Sequence, residues 1–250
     1  MNVEYTAVLE RFRAAPHGKL FCLHGTGAVF RMSLNAAARG LAAGLPVVLV
    51  DGTNRFDAYY IAEFARRLAA RQLAAGQLTA RQFAAEQSSG EGGSPEAFLE
   101  RIFVSRAFTC FQMEAVVTGR LLPFLRMKGG NVAIIFGLLD TFYDEQAPLF
   151  EVRASLGRIV AALRELKREN IAVLIASQEL RPASPERKGL FPFLARAMDQ
   201  VYTVTEENAI VLNRRMHGTH GADVHDGDPG RDGKLDEIPP GAPARGSGGV

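Results

Sequence analysis

The sequence predicts an α/β fold: a largely parallel sheet flanked by helices and closed by a β-hairpin. Short apolar runs at Leu20–Leu23, Val47–Val50, Val132–Phe136 and Ile171–Ala176 are each bounded by turn residues, as strands buried on both faces are. Amphipathic stretches alternate with them, and that alternation argues for parallel strands with helical crossovers. At 250 residues, with 47% hydrophobic and 22% charged side chains, the chain is long enough to bury one sizeable core. Ligands in such folds bind at the carboxyl ends of the strands.

Taken in order, residues 1–15 read as a short helix with Val8, Leu9 and Phe12 on one side. Phe12-Arg13-Ala14-Ala15 also spells F-x-x-A, a pattern some recombinases use to dock on a neighbouring subunit; as chemistry it is first an apolar helix face. Lys19 to Asp51 reads strand, glycine turn, alanine-rich helix, strand. Asp57 is placed to cap a helix whose apolar residues recur at Tyr60, Ile61, Phe64 and Leu68. A further helical piece is expected at 79–86 and a surface loop at 88–95. A short helix at 96–100 then leads into a strand at 101–105. The stretch 109–127 is expected to be helical and to bend or break at Pro123. Gly129-Gly130 turns the chain into the Val132 strand, and Leu149 to Leu166 is strongly amphipathic. The strand from Ile171 follows, then a loop over 180–189 and a hairpin pairing Val201–Val204 with Ile210–Leu212 around Glu207-Asn208. The folded domain is set at 1–216; 217–250 is a glycine-, proline- and acid-rich tail, expected to be disordered.

Lys and Arg number 29 and Asp and Glu 27. The tail holds three basic and six acidic residues, so residues 1–216 carry 26 − 21 = +5, mildly basic and suited to a nucleic-acid partner without requiring one. The two cysteines, Cys22 and Cys110, lack metal-ligand spacing and suit a reducing compartment. The amino-terminal stretch has no signal-peptide core, and the most apolar window, 34–50, contains Arg39 and Pro46 and is too short to span a membrane. The expectation is a cytoplasmic protein with no membrane association. His217, His220 and His225 lie in a tail too glycine-rich to preorganise a metal site, so no metal centre is expected.

The glycine turn carries the chemistry to be weighed. A phosphate-binding loop reads G-x-x-x-x-G-K-[ST]: backbone N–H groups curl around the phosphates, the lysine reaches them and the hydroxyl binds Mg²⁺. Counted from Gly25, the second glycine is Phe30, the lysine is Arg31 and the hydroxyl is Met32, with Ser33 one residue late. Phe30 fills phosphate space, and Met32 cannot ligate a hard cation.

Four segments in order resemble the RecA-like ATPase core of the Rad51/RadA recombinase family. They are the Gly25 loop, VLVDGTNRF at 48–56, RIFVSRAFTCFQM at 101–113 and NIAVLIASQ at 170–178. Arg106-Ala107-Phe108 followed by Gln112 is the most specific match. The resemblance covers roughly 17–215 and implies a P-loop NTPase type of sheet. It also implies a vestigial nucleotide site of Gly25, Thr26, Gly27, Arg31, Ser33 and Gln178, the last at the γ-phosphate sensor position. Thr53 stands where the family has its water-holding acid, and Gly137 where the Walker B aspartate ends its strand; Asp140 follows three residues later. Without Mg²⁺ ligands and a water-orienting base, phosphoryl transfer has nothing to position it. The resemblance therefore implies a degenerate, ATPase-deficient accessory protein of recombination or repair, with no cofactor expected. Its partners would be RecA-like or other repair subunits, including further copies of itself, and single-stranded DNA. Of the family's two DNA loops, 140–150 is acidic here, so Arg181, Arg187 and Lys188 are the DNA-binding candidates. Two alternatives stand beside this: a weak DNA-dependent ATPase with unorthodox ligands, ATP and Mg²⁺ included, and a scaffold unconnected with DNA.

Overall fold

A computed structural model of the chain describes residues 18–76, 94–143, 147–179, 184–207 and 210–212. The expected helices at 1–15 and 79–86, the F-x-x-A segment, most of the 88–95 loop, Arg181 and the 217–250 tail lie outside the described residues. The chain divides into units 1–217 and 218–250, and the second is wholly among the residues not described.

The elements, in chain order, are β1 (Leu20–Gly25), α1 (Ala28–Ala42), β2 (Val47–Asp51), α2 (Ala58–Ala74), α3 (Pro95–Glu100) and β3 (Ile102–Arg106). There follow α4 (Cys110–Glu114), a π-helical turn (Ala115–Arg120), α5 (Leu121–Lys128) and β4 (Val132–Phe136). Last among the described residues come α6 (Leu149–Arg168), β5 (Ala172–Gln178), α7 (Leu190–Ala195), β6 (Gln200–Val204) and β7 (Ile210–Leu212). The strands form one sheet of seven in the order β3-β2-β4-β5-β1-β6-β7. Every pairing is parallel except β6 with β7, the expected closing hairpin. β1 and β2 are not neighbours; β5 and β4 lie between them.

Strand alternation builds two cores from one sheet. Leu20 and Cys22 of β1, with Ile135 of β4, face a layer containing α4, α5, α6 and α7. Phe21 and Leu23, with Ile134 and Phe136, face α1, α2 and α3. Burial on both faces explains why the central strands read as unbroken apolar runs instead of alternating. Three caps are as the sequence chemistry requires. The Asp57 carboxylate accepts from the Tyr60 N–H at 3.1 Å, Ser94 Oγ from Ala97 N–H at 3.1 Å and Thr109 Oγ1 from Gln112 N–H at 3.2 Å. Pro95 occupies the first turn of α3, where no N–H is missed.

One boundary corrects the sequence expectation: Pro95, expected in the preceding loop, begins α3, and Ser94 caps it. At Pro123, where the sequence predicts a bend or break, helical structure continues, but the α-helical ladder gives way to the π turn Ala115–Arg120 just before it, where the proline ring and its missing N–H would otherwise conflict with that ladder. No helix of the described residues is long and apolar enough to cross a membrane.

Candidate functional site

The parallel register brings the carboxyl ends of β1, β5, β4 and β2 into one row. Gly25 pairs with Gln178, Phe136 with Ala176, and Asp51 with Phe136. Gly25, Thr26, Gly27 and Gln178 are thus together, with Gln178 Oε1 3.9 Å from where a Cβ on Gly27 would sit. Arg31 and Ser33 do not join them. Ser33 is buried within α1 and its Oγ donates to the Val29 carbonyl at 2.8 Å. Arg31 is exposed and lines a groove between α1 and α2.

The glycine turn is short, and α1 begins three residues after Gly25. Gly25 has φ +136°, and a Cβ there would meet the Val204 carbonyl oxygen at 2.1 Å. This glycine is therefore demanded by β6 lying alongside. Thr26 N–H donates to the same Val204 carbonyl at 3.2 Å, and Val29 N–H to the Thr26 carbonyl at 3.2 Å. Phe30 fills the space beyond, 5% exposed, its ring packed in a T-shaped arrangement with Phe136 at 5.3 Å and the Arg55 guanidinium over it, 5.7 Å from the ring centroid. A triphosphate needs several free, convergent N–H groups and a hydroxyl for Mg²⁺. Here the Thr26 and Val29 amides are committed, the Ser33 hydroxyl is bonded and Phe30 fills the volume, while Thr26 Oγ1 is buried without a partner among the described residues; the lysine and Mg²⁺-hydroxyl positions of such a site are not supplied.

Thr53 and Gly137 are coupled by packing. Gly137 adopts φ +60°, and a Cβ there would lie 2.0 Å from Thr53 Cγ2. Restoring a carboxylate at Gly137 would require Thr53 to move. Asp140 instead folds back over Gly137, with its Cγ and Oδ2 3.2 Å from that same Cβ position. Its Oδ2 is buried without a partner among the described residues, and burial pushes its carboxyl up to about 6, against the pull of its own backbone N–H and of Arg55. Asp51, fully buried, accepts from the N–H groups of Thr53, Arg55 and Phe56 at 3.0, 3.2 and 2.9 Å, and so shapes the loop after β2.

The second face of the row holds His24, which the sequence did not single out. Its ring stacks on Phe191 with centroids 4.0 Å apart and planes at 29°. Burial lowers its pKa, opposed by the charge of Glu179. The DNA-binding candidates fare unevenly. Lys188 is exposed, and Arg181 lies outside the described residues. Arg187, expected on a solvated loop, is 5% exposed; its guanidinium donates to the Phe142 carbonyl at 2.7 Å and the Ala147 carbonyl at 2.5 Å. It ties the turn after β4 to the turn before α7 and presents no charge to a phosphate.

One feature of the sheet edge remained hidden in the sequence. β3 pairs only with β2 among the described residues, leaving its outer edge open. Beside it lies an apolar groove of about 520 Å³, walled by Phe103, Val104, Val116, Leu121, Phe124 and Met127. Val104 and Met127 are 37% and 67% exposed, and the Lys128 ammonium stands 4.7 Å from the Phe103 ring. Among the described residues no group of His, Cys, Asp and Glu is arranged to hold a metal. No protein-family model matches the chain, and no curated protein matches it significantly.

Proposed function

We propose that the chain is an ATPase-deficient, RecA-like accessory protein of DNA recombination or repair, acting in the cytoplasm by binding partner subunits. The observation that supports this reading is the apolar groove along the open edge of β3. An unpaired strand edge offers a row of N–H and C=O groups to an incoming strand, and the groove offers pockets for its side chains. The closed glycine turn favours such a binding role over phosphoryl transfer. The four sequence segments that resemble recombinases supply the pathway. A strand order placing β5 between β1 and β4 is compatible with a RecA-like sheet.

The test has two parts. Titration calorimetry with ATP, with and without Mg²⁺, should show no heat of binding. Sedimentation with the recombinase of its own cell should show a complex that Val104→Asp abolishes, because a charge in the groove wall loses its hydration. ATP binding, or a complex indifferent to Val104→Asp, would overturn the proposal. A second reading, a weak ATP-binding enzyme with unorthodox ligands, is favoured by the unpartnered oxygen of Asp140, and the Mg²⁺-dependent arm of the titration decides it. Neither outcome with any nucleic-acid partner would leave the scaffold reading.

A further inference from the structure

The helices α1 and α2 carry five arginines against one glutamate, a net of four positive charges on one face of the sheet. Their spacing gathers that charge. Arg31, Asn35 and Arg39 follow at intervals of four on α1, and Glu63, Arg67 and Arg71 do the same on α2. Each stripe runs roughly 12 Å along its helix, at 1.5 Å per residue. The two stripes wall a groove of about 640 Å³ between the helices, with Tyr59 among its lining residues.

Hydrogen bonds preorganise this groove. Asn35 Nδ2 donates to the Tyr60 hydroxyl at 3.1 Å, and Arg39 Nε donates to Asn35 Oδ1 at 2.9 Å. The two acids on the lining are already engaged. Asp57 caps α2, and Glu63 pairs with Arg67 at 2.8 Å and Arg66 at 3.7 Å. Arg31 and Arg71 are exposed and form no ion pair with any described residue. Positive groups converging on a concave surface focus potential and attract an anionic chain. Tyr59, 86% exposed, adds a free aromatic face. An acidic peptide would satisfy the arginines alone; a nucleic acid also uses the ring, because every base has a π-face to stack.

We propose that the α1–α2 groove binds single-stranded nucleic acid, with phosphates on Arg31 and Arg71, on Arg67 in exchange for its solvent-exposed pair with Glu63, and with a base stacked on Tyr59. This rests on the repair-accessory reading. It moves the nucleic-acid surface from the 181–188 loop, where Arg187 is buried, to the helical face. Contacts of this kind carry charge and stacking but no base-edge readout, so binding is sequence-tolerant and steeply salt-dependent.

The test is fluorescence anisotropy of a short labelled oligothymidylate with the full chain over a salt series. The triple variant Arg31→Ala/Arg67→Ala/Arg71→Ala should flatten the log–log salt slope by about 2, from roughly 0.7 per phosphate contact on single strands. Tyr59→Ala should weaken binding by between about fivefold and a hundredfold with the slope unchanged, while Tyr59→Phe should bind as the unmodified chain does. Lys188→Ala should change neither. All five side chains are exposed, so melting temperatures should match and separate lost binding from lost folding. Strand binding whose slope survives the triple change would overturn the groove and leave the repair reading standing. No strand binding by the unmodified chain at low salt, with polyglutamate bound instead, would overturn both the groove and the DNA side of the function.

Discussion

Replacing Asp140 by asparagine should stabilise the protein at neutral pH, and only there. Burial holds the folded-state carboxyl at about 6, against an ordinary value of 3.8. Below about pH 4 the group is protonated in both states and contributes nothing. Between pH 4 and 6 the folded state binds the extra proton, so stability falls as pH rises through that window. Above about 6 the ionised carboxylate carries the full penalty. A shift of roughly two units corresponds to about 3 kcal/mol. Solvent reaches this half-buried group, and screening trims the figure to about 1–2 kcal/mol. Asparagine keeps the shape and removes the charge. Urea denaturation at pH 7.5 should therefore find Asp140→Asn more stable by that amount, a rise of about 3–6 °C in melting temperature for a domain of this size. At pH 4 the two proteins should coincide, since the difference between them isolates this carboxyl from all the others. A variant no more stable than its parent at pH 7.5, or a difference that ignores pH, would refute the assignment. The Tyr143 hydroxyl, raised by its own burial and by Asp140, should titrate lower in the variant.

Three further outcomes are expected. Gly25→Ala should cost well over about 3 kcal/mol, given its positive φ and the carbonyl 2.1 Å from the new methyl, whereas Gly27→Ala, whose new methyl meets Gln178 Oε1 at an ordinary contact distance of 3.9 Å, should stay within about 0.5 kcal/mol; equal losses would mean that the turn is shaped by something other than β6. Arg187→Ala should lower stability by about 2–4 kcal/mol in chemical denaturation, because two carbonyls lose their donor; an unchanged midpoint would return this residue to the solvent. Cys22, buried and pushed up to about 12, and the equally buried Cys110 should resist a thiol reagent until the protein is unfolded, and labelling of the native chain would contradict their burial.

Elements whose cause is local were open to the sequence. Four apolar runs between turn residues are strands, because burial on both faces leaves no other use for such a run. Asp57 could be placed at a helix start from its side-chain chemistry alone. The site was less legible because its determinants are distant. Arg187 sits in a proline- and glycine-flanked stretch that reads as solvated, yet its acceptors lie 45 and 40 residues back along the chain. Asp140 reaches the sheet end only because Gly137 turns left-handed, a conformation that glycine permits but its one-letter code does not announce. The glycine of the phosphate-loop pattern had a second cause, the crowding of Val204, that only strand order reveals. The arginine stripes did leave a signal, since intervals of four on two successive helices can be counted directly.

The turn at Ala115–Arg120 has one more consequence, for length variation. A helix advances 100° per residue, so a deletion within an ordinary α-helix rotates everything downstream away from its partners. A π turn already holds one residue more than the α-helical winding requires. Losing a residue between 115 and 120 would let that turn relax to α-helical winding while Leu121 and Leu125 kept their places in the core. The same loss two turns later, within Leu121–Lys128, would swing those leucines toward solvent. This segment is thus a length buffer: related chains one residue shorter here should retain the fold, and the groove wall built from Val116, Gly119 and Arg120 is the part that would change shape.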